Sequence, residues 1–93
     1  MFKVFLTDTF KRKLGEIASP GREKVSAKIE KQIIPQLKRE PHFGTNIRKL
    51  RAWSPPTFRY RIGNFRLFYI VDEKEKVVAL VSIDDRKKAY RKQ

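Results

Sequence analysis

The residues best suited to chemistry are arginines that lie close together in an alternating segment, residues 58–69, which reads FRYRIGNFRLFY. They are Arg59, Arg61 and Arg66. The planar guanidinium group offers forked N–H donors, so several on one surface form a suitable site for phosphate groups. Arginine keeps its proton and can therefore stabilise negative charge, but it cannot act as a general base. The alternative interpretation is an arginine-rich solvated face without a ligand.

A β-hairpin is the element predicted to position these arginines. Residues 63–64 are Gly-Asn, which favours a two-residue turn because such turns need positive φ. Pairing across this turn places Arg61 opposite Arg66, a like-charge pair that costs up to about 1 kcal/mol. An anionic ligand would relieve that repulsion. The other face of the hairpin is apolar and is predicted to belong to the core: Phe58, Tyr60, Ile62, Phe65, Leu67, Tyr69 and Val71.

The composition predicts a small basic protein that acts on a polyanion. Its 93 residues are expected to form one domain, 1–93, and its formal charge of +13 favours nucleic acid, an anionic surface or an acidic protein as partner. No apolar run is long enough to span a membrane and no secretion signal is recognisable, so we expect a cytoplasmic protein. The sequence has no cysteine and one histidine, His42, so we expect neither a metal site nor a cofactor.

Hydrophobic periodicity predicts the order β-α-α-β-β-β. This is an α+β fold in which two helices pack on one face of a largely antiparallel four-stranded sheet. Pro35 lies inside the pattern of the second helix and is expected to kink or end it near Ile34. Residues 41–56 are predicted to be a connecting loop. The predicted strands are 1–7, the two arms of the hairpin and 77–83.

Proton transfer requires groups other than arginine. The candidates near the arginines are Asp84, Asp85, Lys87 and Tyr90. Tyr90 follows Arg86 by four residues, so a helical turn would put both on one face. The alternatives are that Tyr90 is an aromatic at the edge of the core and that the two aspartates cap a final turn.

Two other side chains have open roles. Trp53 either covers the core or offers a stacking surface to a base. His42 is expected to be solvent-exposed or locally hydrogen-bonded, with a catalytic role as the alternative.

The hairpin, the apolar strand after it and the final residues DRKKAY at 85–90 resemble the RelE/ParE superfamily of bacterial and archaeal toxins. The length and the element order are also similar. RelE-like members cleave mRNA in the ribosomal A site and are silenced by a cognate antitoxin, whereas ParE-like members poison DNA gyrase.

The resemblance implies catalytic roles for Arg59, Arg61, Arg66, Arg86 and Tyr90. Arg59 and Arg61 match two basic residues that are lysines in RelE itself, so a general-base role at Arg59 is not expected. Tyr90 matches the tyrosine that stacks on the substrate base.

The resemblance therefore implies a ribosome-dependent mRNA endonuclease that uses no metal or cofactor. Its partners would be an antitoxin, the ribosome and mRNA. The alternatives are a non-catalytic gyrase inhibitor and a plain RNA-binding domain.

Overall fold

The computed structural model describes residues 1–51 and 54–85. Its centre is the predicted hairpin, in which Arg61 pairs with Arg66 and Ile62 pairs with Phe65, so the predicted register is confirmed. The hairpin belongs to a sheet with the strand order β1-β5-β4-β3-β2. The strands are β1 (Lys3–Leu6), β2 (Ile47–Lys49), β3 (Thr57–Ile62), β4 (Phe65–Asp72) and β5 (Val77–Asp85).

The described part of the sheet has five strands, so the prediction of four strands was wrong in this detail. The additional strand, β2, lies in the segment predicted to be a loop and pairs antiparallel with β3. Three residues are too few to establish a period of two, and a proline and a glycine precede them in the sequence. The pairing of β1 with β5 is parallel and the other pairings are antiparallel. The predicted α+β, largely antiparallel fold is confirmed.

The helices pack on one face of the sheet. The first helix, α1, begins after Thr7, whose Oγ1 accepts a hydrogen bond from the Phe10 N–H at 3.1 Å and so caps the helix. The first helix covers Asp8–Gly15. The long second helix consists of α2 (Ser19–Lys28), a wide π-helical turn (Ile29–Ile33) and α3 (Ile34–Arg39). The predicted distortion occurs just before Pro35, which cannot donate a backbone hydrogen bond.

The core lies between the helices and the apolar face of the hairpin. Tyr60, Leu67 and Tyr69 are almost fully buried, and the helices contribute Phe10 and Ile33. The Tyr69 hydroxyl donates a hydrogen bond to the Pro41 carbonyl at 2.6 Å, and burial raises its pKa. The opposite face of β3 and β4, which carries the arginines, is left uncovered by the helices. None of the described helices is both long enough and apolar enough to cross a membrane.

Candidate functional site

Two rows of side chains cross the open face of the sheet. In the first row Arg48 on β2 lies opposite Arg59, and Arg59 lies opposite Phe68. In the second row Arg61 lies opposite Arg66. The alternation of the strands keeps these side chains away from the core, so the arginine cluster is a direct result of the hairpin register.

A pocket of about 370 Å³ opens beside the first row. Of the three arginines that the sequence analysis grouped together, Arg59 and Arg61 line this pocket and Arg66 does not. Arg48 also lines it, although the sequence analysis did not identify this residue. The remaining lining residues are Thr45, Asn46 and Ile47. The pocket therefore combines three cationic side chains with two neutral polar side chains, a composition that suits a phosphate group attached to a sugar.

Arg48 was missed because its segment was interpreted as a loop. The only local signal is the alternation of Ile47, which packs against the core, with the exposed Arg48. A pattern of this length becomes informative only when a partner strand is known. The position of Arg48 is set by its pairing with Arg59, a contact between residues that are distant in the sequence.

Arg66 lies next to the pocket and between two unlike neighbours. It pairs with Arg61 on one side and with Asp84 on the other. Its Nε is buried and has no hydrogen-bond partner among the described residues. The Asp84 carboxylate instead accepts a hydrogen bond from Lys13 of α1 at 3.2 Å. A buried donor without a partner is unfavourable, so the position of Arg66 carries an energetic cost within the described residues.

The candidates for proton transfer are only partly covered by the structure. Asp84 and Asp85 lie in β5, which extends two residues beyond the predicted strand. The final turn that they were alternatively predicted to cap lies outside the described residues. Arg86, Lys87 and Tyr90 lie outside the described residues, as does Trp53. The predicted roles of Arg86 and Tyr90 therefore remain predictions.

His42 lies away from the arginines, in a cluster of its own. Its Nδ1 is 2.9 Å from Glu40 Oε2, and its Nε2 makes a short contact with Glu73 Oε2. The aromatic rings of Phe2 and Phe58 pack against it edge-on. The hydrogen bond to Glu73 is the main cause of a raised His42 pKa, and the backbone hydrogen bond from His42 is the main cause of a lowered Glu40 pKa. This arrangement agrees with the predicted local role.

The chemistry that the described site offers is the binding of anions and the stabilisation of negative charge. Its charged groups are the guanidinium groups of Arg48, Arg59, Arg61 and Arg66. In the described part of the chain, no group of three or more His, Asp or Glu side chains is arranged to hold a metal ion. The predicted catalytic arginines of the hairpin are thus brought together, with Arg48 added to them.

Several solved structures have the same fold as this chain. The RelBE2 toxin–antitoxin complex of Mycobacterium tuberculosis contains a chain with a TM-score of 0.70 and 24% identity, covering 91% of this chain and 98% of that one. The isolated RelE toxin of E. coli has a TM-score of 0.66 and 18% identity, and the match covers 99% of this chain and 98% of that one. A metal-bound toxin from Helicobacter pylori has a TM-score of 0.68 and 14% identity, and the match covers 95% of this chain and 98% of that one.

The sequence itself identifies the family. Residues 4–90 match the family described as the ParE toxin of the type II toxin–antitoxin system parDE. No curated protein matches the chain significantly. The protein belongs to the ParE toxin family of type II toxin–antitoxin systems, within the RelE/ParE superfamily that the hairpin motif indicated.

Proposed function

We propose that this toxin is an mRNA endonuclease that acts on the translating ribosome. The observation that carries the proposal is the pocket in which Arg48, Arg59 and Arg61 converge beside Arg66. A translating ribosome supplies a positioned single-stranded RNA, whose phosphates match a cluster of guanidinium groups. We expect it to act in the cytoplasm, where translation takes place.

The proposed reaction is an internal transesterification. The 2′-hydroxyl of one nucleotide attacks the adjacent phosphorus, and the bond to the 5′-oxygen of the next nucleotide breaks. The upstream fragment keeps a 2′,3′-cyclic phosphate, and the downstream fragment gains a free 5′-hydroxyl. Negative charge grows on the non-bridging oxygens during the attack, and fixed guanidinium groups lower this barrier, with single preorganised donors contributing roughly 3 kcal/mol in well-studied enzymes.

The proton of the attacking hydroxyl must go to another group, because arginine has no free lone pair for it. In this chain the candidates are Asp84, Asp85, Lys87 and Tyr90. Water or an RNA group of the ribosome is the alternative acceptor. A toxin that provides charge stabilisation without a complete acid/base pair of its own would depend on the ribosome, which is the behaviour we propose.

An antitoxin is the proposed regulatory partner. Several solved structures with the same fold are toxin–antitoxin complexes, among them the RelBE complexes of E. coli and Methanococcus jannaschii. A protein with charge +13 is best neutralised by an acidic or amphipathic segment over its arginine face. Expression of this chain without its partner should therefore inhibit growth, and a small acidic protein should co-purify with it from its native host.

The match to the ParE toxin family favours a second candidate function, inhibition of DNA gyrase without RNA cleavage. The two functions are separated by adding purified protein to a reconstituted translation reaction and, in parallel, to gyrase with supercoiled DNA. Our proposal predicts discrete mRNA cuts within ribosome-bound codons and no trapped gyrase–DNA complex. Intact mRNA together with trapped complexes would select the second candidate.

A further inference from the structure

Tyr60 lies between the two arginines of β3 in the sequence, and its buried side chain connects that strand to the long helix. Tyr60 is 1% exposed, and its hydroxyl donates a hydrogen bond to Gln36 Oε1 at 2.6 Å. Gln32 Nε2 donates a longer hydrogen bond, 3.5 Å, to the same hydroxyl. Tyr60 is therefore anchored at its polar end by Gln36, while Arg59 and Arg61 on either side face the pocket.

Gln36 also contacts the loop that forms the wall of the pocket. A Cβ atom added to Gly44 would collide with Gln36 Nε2 and would lie 3.0 Å from Ile47 Cδ1. The Gln36 amide thus packs directly against the Gly44 backbone. A larger residue at this position would have to displace the end of the Gln36 side chain.

The loop then returns to β3 through its backbone. The Ile47 N–H donates to the Gly44 carbonyl at 3.1 Å, and the Arg61 N–H donates to the Asn46 carbonyl at 3.0 Å. These contacts close a ring that runs from Tyr60 through Gln36, Gly44 and Asn46 to Arg61. Within this ring, Asn46 and Arg61 line the pocket, together with Thr45 between Gly44 and Asn46.

The direction of Gln36 depends on the π-helical turn. In this turn the Ile34 N–H donates to the Ile29 carbonyl, five residues earlier. Such a turn holds one residue more than an α-helical turn, so it rotates all later side chains by about 100° around the helix axis. The π-helical turn and Pro35 thereby bring Gln36 to the sheet.

From this ring of contacts we infer that Gln36 is a positioning residue that fixes the loop wall of the arginine pocket against β3. It carries no charge, and it contacts Tyr60 and Gly44, which are sequence neighbours of residues that line the pocket. The inference rests on the proposed function for its ligand, an RNA phosphate group. Its consequence is that Arg48, Arg59 and Arg61 engage one RNA strand together only while Gln36 holds the wall in place.

The test compares Gln36→Ala with Gln32→Ala, a matched variant that removes a glutamine bonded to the same hydroxyl at greater distance. Amide hydrogen exchange of Ile47 and Arg61 reports directly on the wall. Gln36→Ala should accelerate exchange at both amides with the core amides of β4 unchanged, and Gln32→Ala should have a much smaller effect. Tyr60→Phe, which removes only the hydroxyl, should reproduce the result of Gln36→Ala. It replaces Gln36→Ala in the test if that variant folds poorly.

The same variants are titrated with a 2′-O-methyl RNA oligonucleotide, which cannot be cleaved, over a range of salt concentrations. Each phosphate contact contributes about 0.7 to the slope of log K against log salt for single strands. Gln36→Ala should lower this slope by about 0.7 or more although it removes no charge. A purely structural role would leave the slope at the wild-type value.

The outcomes separate this inference from the proposed function. The positioning role would be overturned if the amide exchange rates of Ile47 and Arg61 stayed unchanged in Gln36→Ala and Tyr60→Phe. It would also be overturned if these amides exchanged faster in the variants while the salt slope kept its wild-type value. Failure of the wild-type protein to bind the oligonucleotide would instead count against the RNA ligand, and the exchange data would still decide whether Gln36 holds the wall.

Discussion

Arg61 and Arg66 lie opposite each other with like charge. Substitutions in this pair test whether the arginine face binds a ligand or is only a solvated surface. Arg61 is exposed, whereas Arg66 is half-buried and has Asp84 on its other side. The repulsion is therefore relieved more easily by removing Arg61 than by removing Arg66, whose loss would leave Asp84 without a cation opposite it on β4.

Replacing Arg61 with Gln should leave stability unchanged or raise it by a few tenths of a kcal/mol, because the exposed member of a repelling pair is lost. Cleavage of ribosome-bound mRNA should fall by about 10²-fold or more, because a charge-stabilising group is lost. Thermal unfolding and cleavage rates on the same preparation check both effects. Leu67→Ala, on the buried face of the same hairpin, is the opposite control and should cost about 2–4 kcal/mol.

Arg48 provides a second prediction at this scale, because Lys49 beside it offers a matched control. Both are exposed and both carry one positive charge, but only Arg48 lines the pocket. Arg48→Gln should reduce cleavage by at least about 10-fold, whereas Lys49→Gln should change it little, since a uniform charge effect is small at physiological salt. Equal losses in the two variants would mean that net charge, and not the pocket, determines activity.

At the scale of elements, the sequence predicts most where the pattern is local. The Gly-Asn turn and the alternation around it were sufficient to predict the register of β3 and β4. Pro35 was sufficient to predict a distortion of the long helix. The strand β2 was not predictable, because it is defined by its pairing with β3 and not by its own three residues. Arg48 was missed with it.

The His42 cluster was also beyond sequence analysis, because its second carboxylate comes from a distant turn. Glu40 belongs to the end of the helix, whereas Glu73 follows β4. Neutral imidazole has one N–H, so it cannot donate to both carboxylates at once. The protonated ring is therefore the form that joins the two segments.

This cluster predicts a pH dependence of stability. The His42 pKa is raised in the folded state, so its stabilisation is fully present below pH 6.5, its ordinary value, and is lost as pH rises through the folded pKa. The Glu40 pKa is lowered, so its stabilisation is present above pH 4.5 and is lost as pH falls through its folded pKa. The combined contribution should be greatest between pH 4.5 and 6.5.

The check is the free energy of unfolding of wild type and His42→Gln as a function of pH. The charged groups that face the cluster are Glu40, Glu73 and, across the Phe2 ring, Lys76. The difference between the two proteins should shrink as the solution becomes alkaline, and Glu73→Gln should move that decline to lower pH. A difference that stays constant from mildly acidic to alkaline pH would show that His42 contributes by packing alone.

At the scale of the whole molecule, the fold separates stability from binding. The helices bury one face of the sheet, so the other face is free to carry a concentration of cations that a core could not accommodate. The net charge of +13 attracts any polyanion at long range, and in our proposal the arginines of the hairpin and β2 determine where a single phosphate is held. The choice between RNA and gyrase as target is tested by a direct measurement.

That measurement is the mapping of mRNA ends in a reconstituted translation reaction that contains the wild-type protein or its Arg61→Gln variant. Our account predicts new ends within ribosome-bound codons for the wild type, a 2′,3′-cyclic phosphate on the upstream fragment, and a loss of about 10²-fold or more in the variant. Intact mRNA under conditions in which the wild-type protein arrests growth and traps gyrase on DNA would contradict it.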